Sequence, residues 1–195
     1  MKVVKLKVVA FNGSPRKKGN TFTAIGIIFK ELNKEGIETE LVQVGRTGIK
    51  PCAACFRCRK TKDGFCVTTD DILNDCLKKM YAADGIIIGS PVYVGSLTPE
   101  TKALIDRVAY CARKDGLKRK VGVAIAIAGR EGAGSVLNQI NNLFTVSQAI
   151  IPCSIFWNMA LSGPNGGDIK NDEEGINTFK ILGENMAWLL KKLNN

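Results

Sequence analysis

Residues 85–90 read GIIIGS and residues 121–128 read VGVAIAIA. Neither run alternates apolar with polar side chains, as a strand with one face in water would. Unbroken apolar runs of this length suit strands covered on both faces, the usual condition of a parallel sheet. Each is followed by a turn containing glycine or proline and then by apolar residues at helical spacing, over 101–111 and 134–147. Reading outward extends the alternation. Residues 3–11 (VVKLKVVAF) form a β-branched run that ends at a Gly-Ser-Pro turn, and residues 22–32 (FTAIGIIFKEL) have helical spacing. Residues 38–44 predict a second strand. Asp70 and Asp71 are placed to cap a helix carrying Ile72, Leu73, Cys76, Leu77 and Met80. Residues 150–157 read as a fifth strand and residues 173–193 as a closing amphipathic helix. Five apolar strands separated by helices predict an α/β, doubly wound parallel sheet with helices on both faces. Ligands of such sheets bind at the carboxyl ends of the strands, near a switch in strand order. The 195 residues suit a single domain, 1–195, with a cysteine-rich insertion at about 50–68.

That insertion, PCAACFRCRKTKDGFC, places Cys52, Cys55, Cys58 and Cys66 in the spacing C-x2-C-x2-C-x7-C. Three thiolates this close can reach three corners of a cubane from one turn, and a fourth downstream closes the site. The spacing thus points to a [4Fe–4S] cluster. Zinc also accepts four thiolates, although its motifs more often split into two distant C-x2-C pairs. Free thiols are the third reading. A disulfide framework needs an oxidising compartment. The opening run MKVVKLKVVAFNGS, interrupted by Lys2, Lys5 and Lys7, lacks the apolar stretch of a secretory signal. A reducing, cytoplasmic setting is therefore expected. Cys76, Cys111 and Cys153 lie in apolar stretches and read as small core residues.

Composition narrows the chemistry. The chain has no histidine, which excludes Ser–His and Cys–His catalysis, histidine-ligated metals and a histidine general base. What remains is a cofactor, thiolates or carboxylates. The net charge of +10 is dispersed along the chain and aromatic residues make up only 7%, so no nucleic-acid partner is expected. The excess charge suits attraction of anionic partners such as a phosphorylated cofactor or an acidic electron carrier. No apolar run reaches the roughly 20 residues that span a bilayer, so no membrane partner is expected.

Three loops fall at the carboxyl ends of predicted strands. The first, residues 12–21 (NGSPRKKGNT), offers backbone N–H groups at a helix start, the hydroxyls of Ser14 and Thr21 and the guanidinium of Arg16. Together these make an anion site. It is neither a G-x-G-x-x-G loop nor a phosphate loop ending in G-K-[ST]. The second, residues 90–96 (SPVYVGS), presents Tyr93 as a flat face, and the third, residues 128–134 (AGREGAG), lets backbone approach a planar ring closely. On one sheet edge they describe a site for a phosphorylated planar molecule.

SPRKKGNT, SPVYVGS followed by TKALIDR, and the glycine-rich third loop resemble the flavodoxin-like NADPH-dependent FMN reductase superfamily. With the compact cysteine quartet, and GGDIKNDEEG at 166–175, the chain is similar to the iron–sulfur flavoproteins of anaerobes. The resemblance implies an FMN whose phosphate is held by Ser14, Arg16, Asn20 and Thr21. It implies a flavin ring against Pro91, Val92, Tyr93, Val94, Gly95 and Ser96 and against Gly129, Gly132 and Gly134. It also implies a homodimer or homotetramer in which the cluster of one subunit lies near the flavin of another. The expected activity is an FMN-dependent oxidoreductase passing electrons between a ferredoxin or NAD(P)H donor and an acceptor, with no side chain as catalytic acid or base. The alternatives are a cluster-free NAD(P)H-dependent reductase of FMN or quinones, and a zinc-stapled binding module. Arg57, Arg59, Lys60 and Lys62 would favour a more reduced cluster or dock an acidic ferredoxin.

Overall fold

The computed structural model describes residues 5–112, 115–163 and 168–194. Its strands are β1 (Lys7–Asn12), β2 (Glu38–Gln43), β3 (Gly85–Pro91), β4 (Val121–Ala128) and β5 (Met159–Leu161). Its helices are α1 (Asn20–Lys34), α2 (Arg57–Thr61), α3 (Leu73–Ala82), α4 (Pro99–Cys111), α5 (Ala133–Val146) and α6 (Glu173–Asn194), with a 3₁₀ turn at Ile169–Asn171. All strand pairs are parallel, in the order β2-β1-β3-β4-β5. This is the doubly wound order that places the topological switch between β1 and β3.

Side-chain alternation divides the interior in two. Val9, Phe11, Ile86, Ile88, Ala124 and Ala126 face the core shared with α3, α4 and α5. Val8, Ala10, Ile87, Val123 and Ile125 face the core shared with α1 and α6. Both faces are covered, which accounts for the unbroken apolar reading of β3 and β4. Every residue of β4 is buried. Gly122 belongs to this constraint, because a Cβ there would lie 2.5 Å from Cδ1 of Phe144 on α5.

The expected strand at 150–157 is corrected. Only Ile150 touches the sheet there, as an isolated bridge to Val121, and the paired strand begins at Met159. Pro152 has no N–H to donate to a ladder. Ile155, Phe156 and Trp157 point into solvent rather than into either core. The segment therefore runs outside the sheet edge and returns opposite Ala126. β1 starts later than expected; Val3 and Val4, within the expected strand, lie outside the described residues. The short α2 and the 3₁₀ turn were not expected. Asp71 does accept a hydrogen bond from the Leu73 N–H at the start of α3, at 3.0 Å. Among the described residues no helix is long and apolar enough to cross a membrane.

Gly122→Ala should force the Phe144 ring out of place and cost about 1–3 kcal/mol. A thermal melt should show the midpoint lower by several degrees, at roughly 2–4 °C per kcal/mol for a domain of this size. An unchanged midpoint would mean that β4 and α5 separate without penalty.

Candidate functional site

Two sites lie at different places on this frame. The first opens at the strand ends around the β1–β3 switch. Gly13 begins it: its N–H bonds the Gly89 carbonyl at 2.8 Å, and a Cβ there would lie 1.8 Å from Oγ1 of Thr101. No larger residue fits. The carbonyl of Gly13 accepts from Oγ1 of Thr98, the residue that caps α4, at 2.8 Å. On the other side the Asn12 carboxamide oxygen accepts from the Ser14 N–H at 3.1 Å, and its amide donates to Gln43 Oε1 at 2.9 Å. Gln43 in turn donates to the carbonyls of Ser14 (2.7 Å) and Gly45 (2.9 Å). The first loop is thus held by the buried side chains of Asn12 and Thr98 and by the half-buried Gln43 of β2.

Beyond this anchor, α1 begins at Asn20 with no side-chain cap and no acidic residue in its first turn. Its leading N–H groups and positive dipole end face an opening of about 170 Å³. Ser14, Arg16, Asn20, Thr21, Pro91, Val92, Tyr93 and Gly129 line this opening together with Pro15, Ile127 and Ser162. Residues of the first loop, the second loop and part of the glycine loop therefore line one opening. Val94, Gly95, Ser96, Gly132 and Gly134 do not line it. Tyr93 and Ser96 close a tight turn through paired backbone bonds of 2.8 and 3.0 Å. Val94 and Gly95, at φ 48° and 71°, form its tip. Two adjacent residues at positive φ are the geometry of a tight hairpin turn. The Ser96 hydroxyl turns away to Gln139. Gly132, at φ 91°, lies under this turn, where a Cβ would come within 2.8 Å of Val92 Cγ1. Its role is to let the turn approach, while Gly134 is already inside the first turn of α5. Ser162 escaped the sequence reading because it follows the displaced β5.

The second site is formed by the cysteine insertion and the far end of α4. Cys52, Cys55, Cys58 and Cys66 all border one narrow recess of about 30 Å³, walled also by Phe56, Arg107, Tyr110 and Cys111. The insertion is tied down at several points. Asn74 accepts from the Cys66 N–H at 2.9 Å and donates to its carbonyl at 2.8 Å. The Tyr81 hydroxyl donates to the Gly64 carbonyl. The Cys58 thiol donates to the Tyr110 carbonyl at 3.8 Å. Phe56 meets the Tyr110 ring edge-on, and the Arg59 guanidinium lies 4.5 Å from the Phe56 centroid, a cation–π contact.

Arg107 and Asp71 form an ion pair whose side chains are only 2% and 1% exposed. Burial opposes ionisation of Asp71. The guanidinium of Arg107 and the amides of Lys50 and Leu73 outweigh it, so the carboxyl titrates below its ordinary value. Cys66 follows the same logic: burial raises its thiol, but the Thr68 amide and Arg107 bring it below the usual thiol value. Burial pushes the Cys76 thiol up to about 12, and Cys76 is a core residue as expected. Cys111 is buried, but it borders the recess, and burial together with neighbouring Cys58 and Cys66 raises its thiol. Cys153 is exposed, so its assignment to the core is corrected. Arg107, Tyr110 and Cys111 are recess residues that the sequence reading missed. Their i, i+3, i+4 spacing, which puts them on one helix face, was the available signal.

Among the described residues no three of Cys, Asp, Glu or His converge on a point that could hold one metal ion. The four cysteines border the recess without their thiols being gathered at one centre.

An anion loop at the β1–β3 switch, an aromatic wall and a flavodoxin-type strand order define a flavodoxin-like protein. Among solved structures the fold is similar to a flavodoxin from the domain Archaea, at a TM-score of 0.62 and 14% identity over 95% of this chain and 99% of that one. An iron–sulfur flavoprotein of Methanocaldococcus jannaschii is 35% identical, across 95% of this chain and 98% of its own length. One from Archaeoglobus fulgidus is 34% identical, across 97% and 98%. Residues 6–162 match the family model described as NADPH-dependent FMN reductase. The chain belongs to that family and, within it, to the iron–sulfur flavoproteins. It is an FMN-binding, flavin-dependent oxidoreductase.

Asp71→Ala leaves the Arg107 guanidinium buried without its counter-ion and should cost about 3–5 kcal/mol of stability at pH 7 in urea unfolding. Because the folded carboxyl titrates below the unfolded one, its contribution is complete above about pH 5 and is lost as pH falls through the folded value. The variant should therefore show a shallower loss of stability below pH 4. Equal slopes for both proteins would remove Asp71 from the acid transition.

Proposed function

We propose that this protein is a two-cofactor electron carrier that passes electrons between a ferredoxin or NAD(P)H donor and an acceptor through FMN and a [4Fe–4S] cluster. The observation that carries the reading is the gathering of Cys52, Cys55, Cys58 and Cys66 around one recess, in a chain whose fold has a separate flavin pocket. FMN would supply exchange between two-electron and one-electron transfer, and the cluster one-electron transfer alone.

The residues at each site have distinct tasks. Arg16 and the N-terminal turn of α1 would bind the FMN phosphate, with Ser14, Asn20 and Thr21 as polar partners. Pro91 to Tyr93 and Gly129 would flank the flavin ring. Cys52, Cys55, Cys58 and Cys66 would ligate the cluster. Arg57, Arg59, Lys60 and Lys62 are exposed on the same insertion and would form a docking face for an acidic donor.

Assembly as a homodimer or homotetramer fits the spacing of the two sites. Thr98, at the start of α4, touches the phosphate loop, whereas Cys111, at its end, borders the thiol recess. The 13 residues of α4 make it about 20 Å long. A neighbouring subunit would shorten that path. Val94, Ile155, Phe156 and Trp157 are exposed large apolar residues, of the kind that partner chains cover. The segment at 150–157 serves this reading better than it serves the sheet.

Protein purified without oxygen should show flavin absorption together with about four irons and four sulfides per chain. Flavin without iron would replace the reading with a cluster-free NAD(P)H-dependent reductase of FMN or quinones. Cys55→Ser should lose the iron and keep the FMN, because the sites use different loops; loss of both would make the insertion part of the fold's support. Arg16→Ala should remove a charge-assisted phosphate contact of about 1.5–3 kcal/mol, raising the FMN Kd roughly 10- to 150-fold. An unchanged Kd would exclude Arg16 from phosphate binding.

A further inference from the structure

Arg107 is the single charged side chain among those that line the thiol recess. It comes from α4, not from the cysteine insertion. Its guanidinium donates to the carbonyl of Lys50 at 3.1 Å and to that of Thr68 at 3.2 Å, besides pairing with Asp71. Lys50 and Thr68 are the two ends of the insertion, so one side chain closes its neck. Arg107 and Cys66 line the same recess. A salt bridge that served packing alone would need only the carboxylate. Here the planar fork of five donors is distributed over a carboxylate and two carbonyls flanking the quartet. A lysine has no such fork.

We infer that Arg107 is a positioning residue for the cysteine site, which holds the insertion shut around the recess and sets a buried guanidinium in its wall. The inference rests on the cluster reading above and extends it. An added electron makes a cluster more negative, so a nearby cation favours the reduced state. Arg57, Arg59 and Lys60 carry the same sign but are exposed, and solvent and salt screen them. The buried Arg107 is not screened by solvent in this way; its charge is offset by Asp71, and removing the guanidinium would leave that carboxylate beside the recess, which lowers the potential further. Arg107 should therefore set the potential, whereas the surface cations set docking.

The test compares wild type, Arg107→Lys and Arg107→Gln, each reconstituted with iron and sulfide without oxygen. FMN content serves as the measure of folding, and cluster midpoint potential is read by dye titration. R107Q should keep FMN and lose at least half of its iron. In the cluster that remains, the one-electron equilibrium should shift about tenfold toward the oxidised form, a potential lower by about 59 mV. R107K keeps the charge without the fork, so it should also lose iron, with a residual potential near that of wild type. Wild-type iron content and potential in R107Q would overturn the inference and leave the cluster reading standing. Loss of FMN along with iron from R107Q would make Arg107 a support of the whole fold, which also overturns it. A wild type that binds FMN but no iron would overturn the cluster reading, and the inference with it.

Discussion

Pairing β1 with β2 on one side and β3 on the other, all parallel, sends successive crossovers to opposite faces of the sheet. Between β1 and β3 the loops therefore diverge and leave a crevice that no helix fills. The rest of the opening proposed for the flavin depends on this constraint. The loop after β1 must turn sharply over β3, and Gly13 makes that turn where a side chain would collide with Thr101. Thr98 and Asn12 then fix the loop from either side with buried hydrogen bonds. The donors that would face a phosphate are thus held before any ligand arrives, which lowers the ordering cost of binding.

Charge is used differently at the two sites. At the pocket, the positive end of α1 and the exposed Arg16 attract an anion in a region open to water. At the thiol recess the positive charge is buried and already paired with Asp71. A buried ion pair contributes little net stability, because desolvation offsets most of its Coulomb energy. Its value here is geometric: the guanidinium has enough donors to fix both ends of the cysteine insertion, and it cannot shed its proton.

The fold was legible in the sequence because strands covered on both faces leave unbroken apolar runs; β4 was read to the residue. The displaced fifth strand shows where that signal fails. Ile150–Trp157 is as apolar as a buried strand, yet Pro152 and the outward-facing aromatics place it off the sheet. Apolar composition reports that a segment wants to be covered, not by what. The cysteine quartet and the phosphate loop were visible because their residues are close in sequence. Arg107, Cys111 and Ser162 were not, because each joins its site only through long-range contact. The outer glycines, Gly132 and Gly134, were read as ring contacts, although Gly132 instead serves the turn that carries Tyr93.

Helix α4 links these observations. Its N-terminus is capped by the threonine that braces the phosphate loop, and its last turn supplies three walls of the thiol recess. A rigid helix of this length fixes the distance between the two sites within one chain, so neither loop can move toward the other. Within one chain the proposed cofactors would stand apart by about the length of α4. Exposed Ile155, Phe156 and Trp157 and the exposed cations at 57–62 lie on different elements, so a covering subunit and an acidic carrier would not compete for one surface.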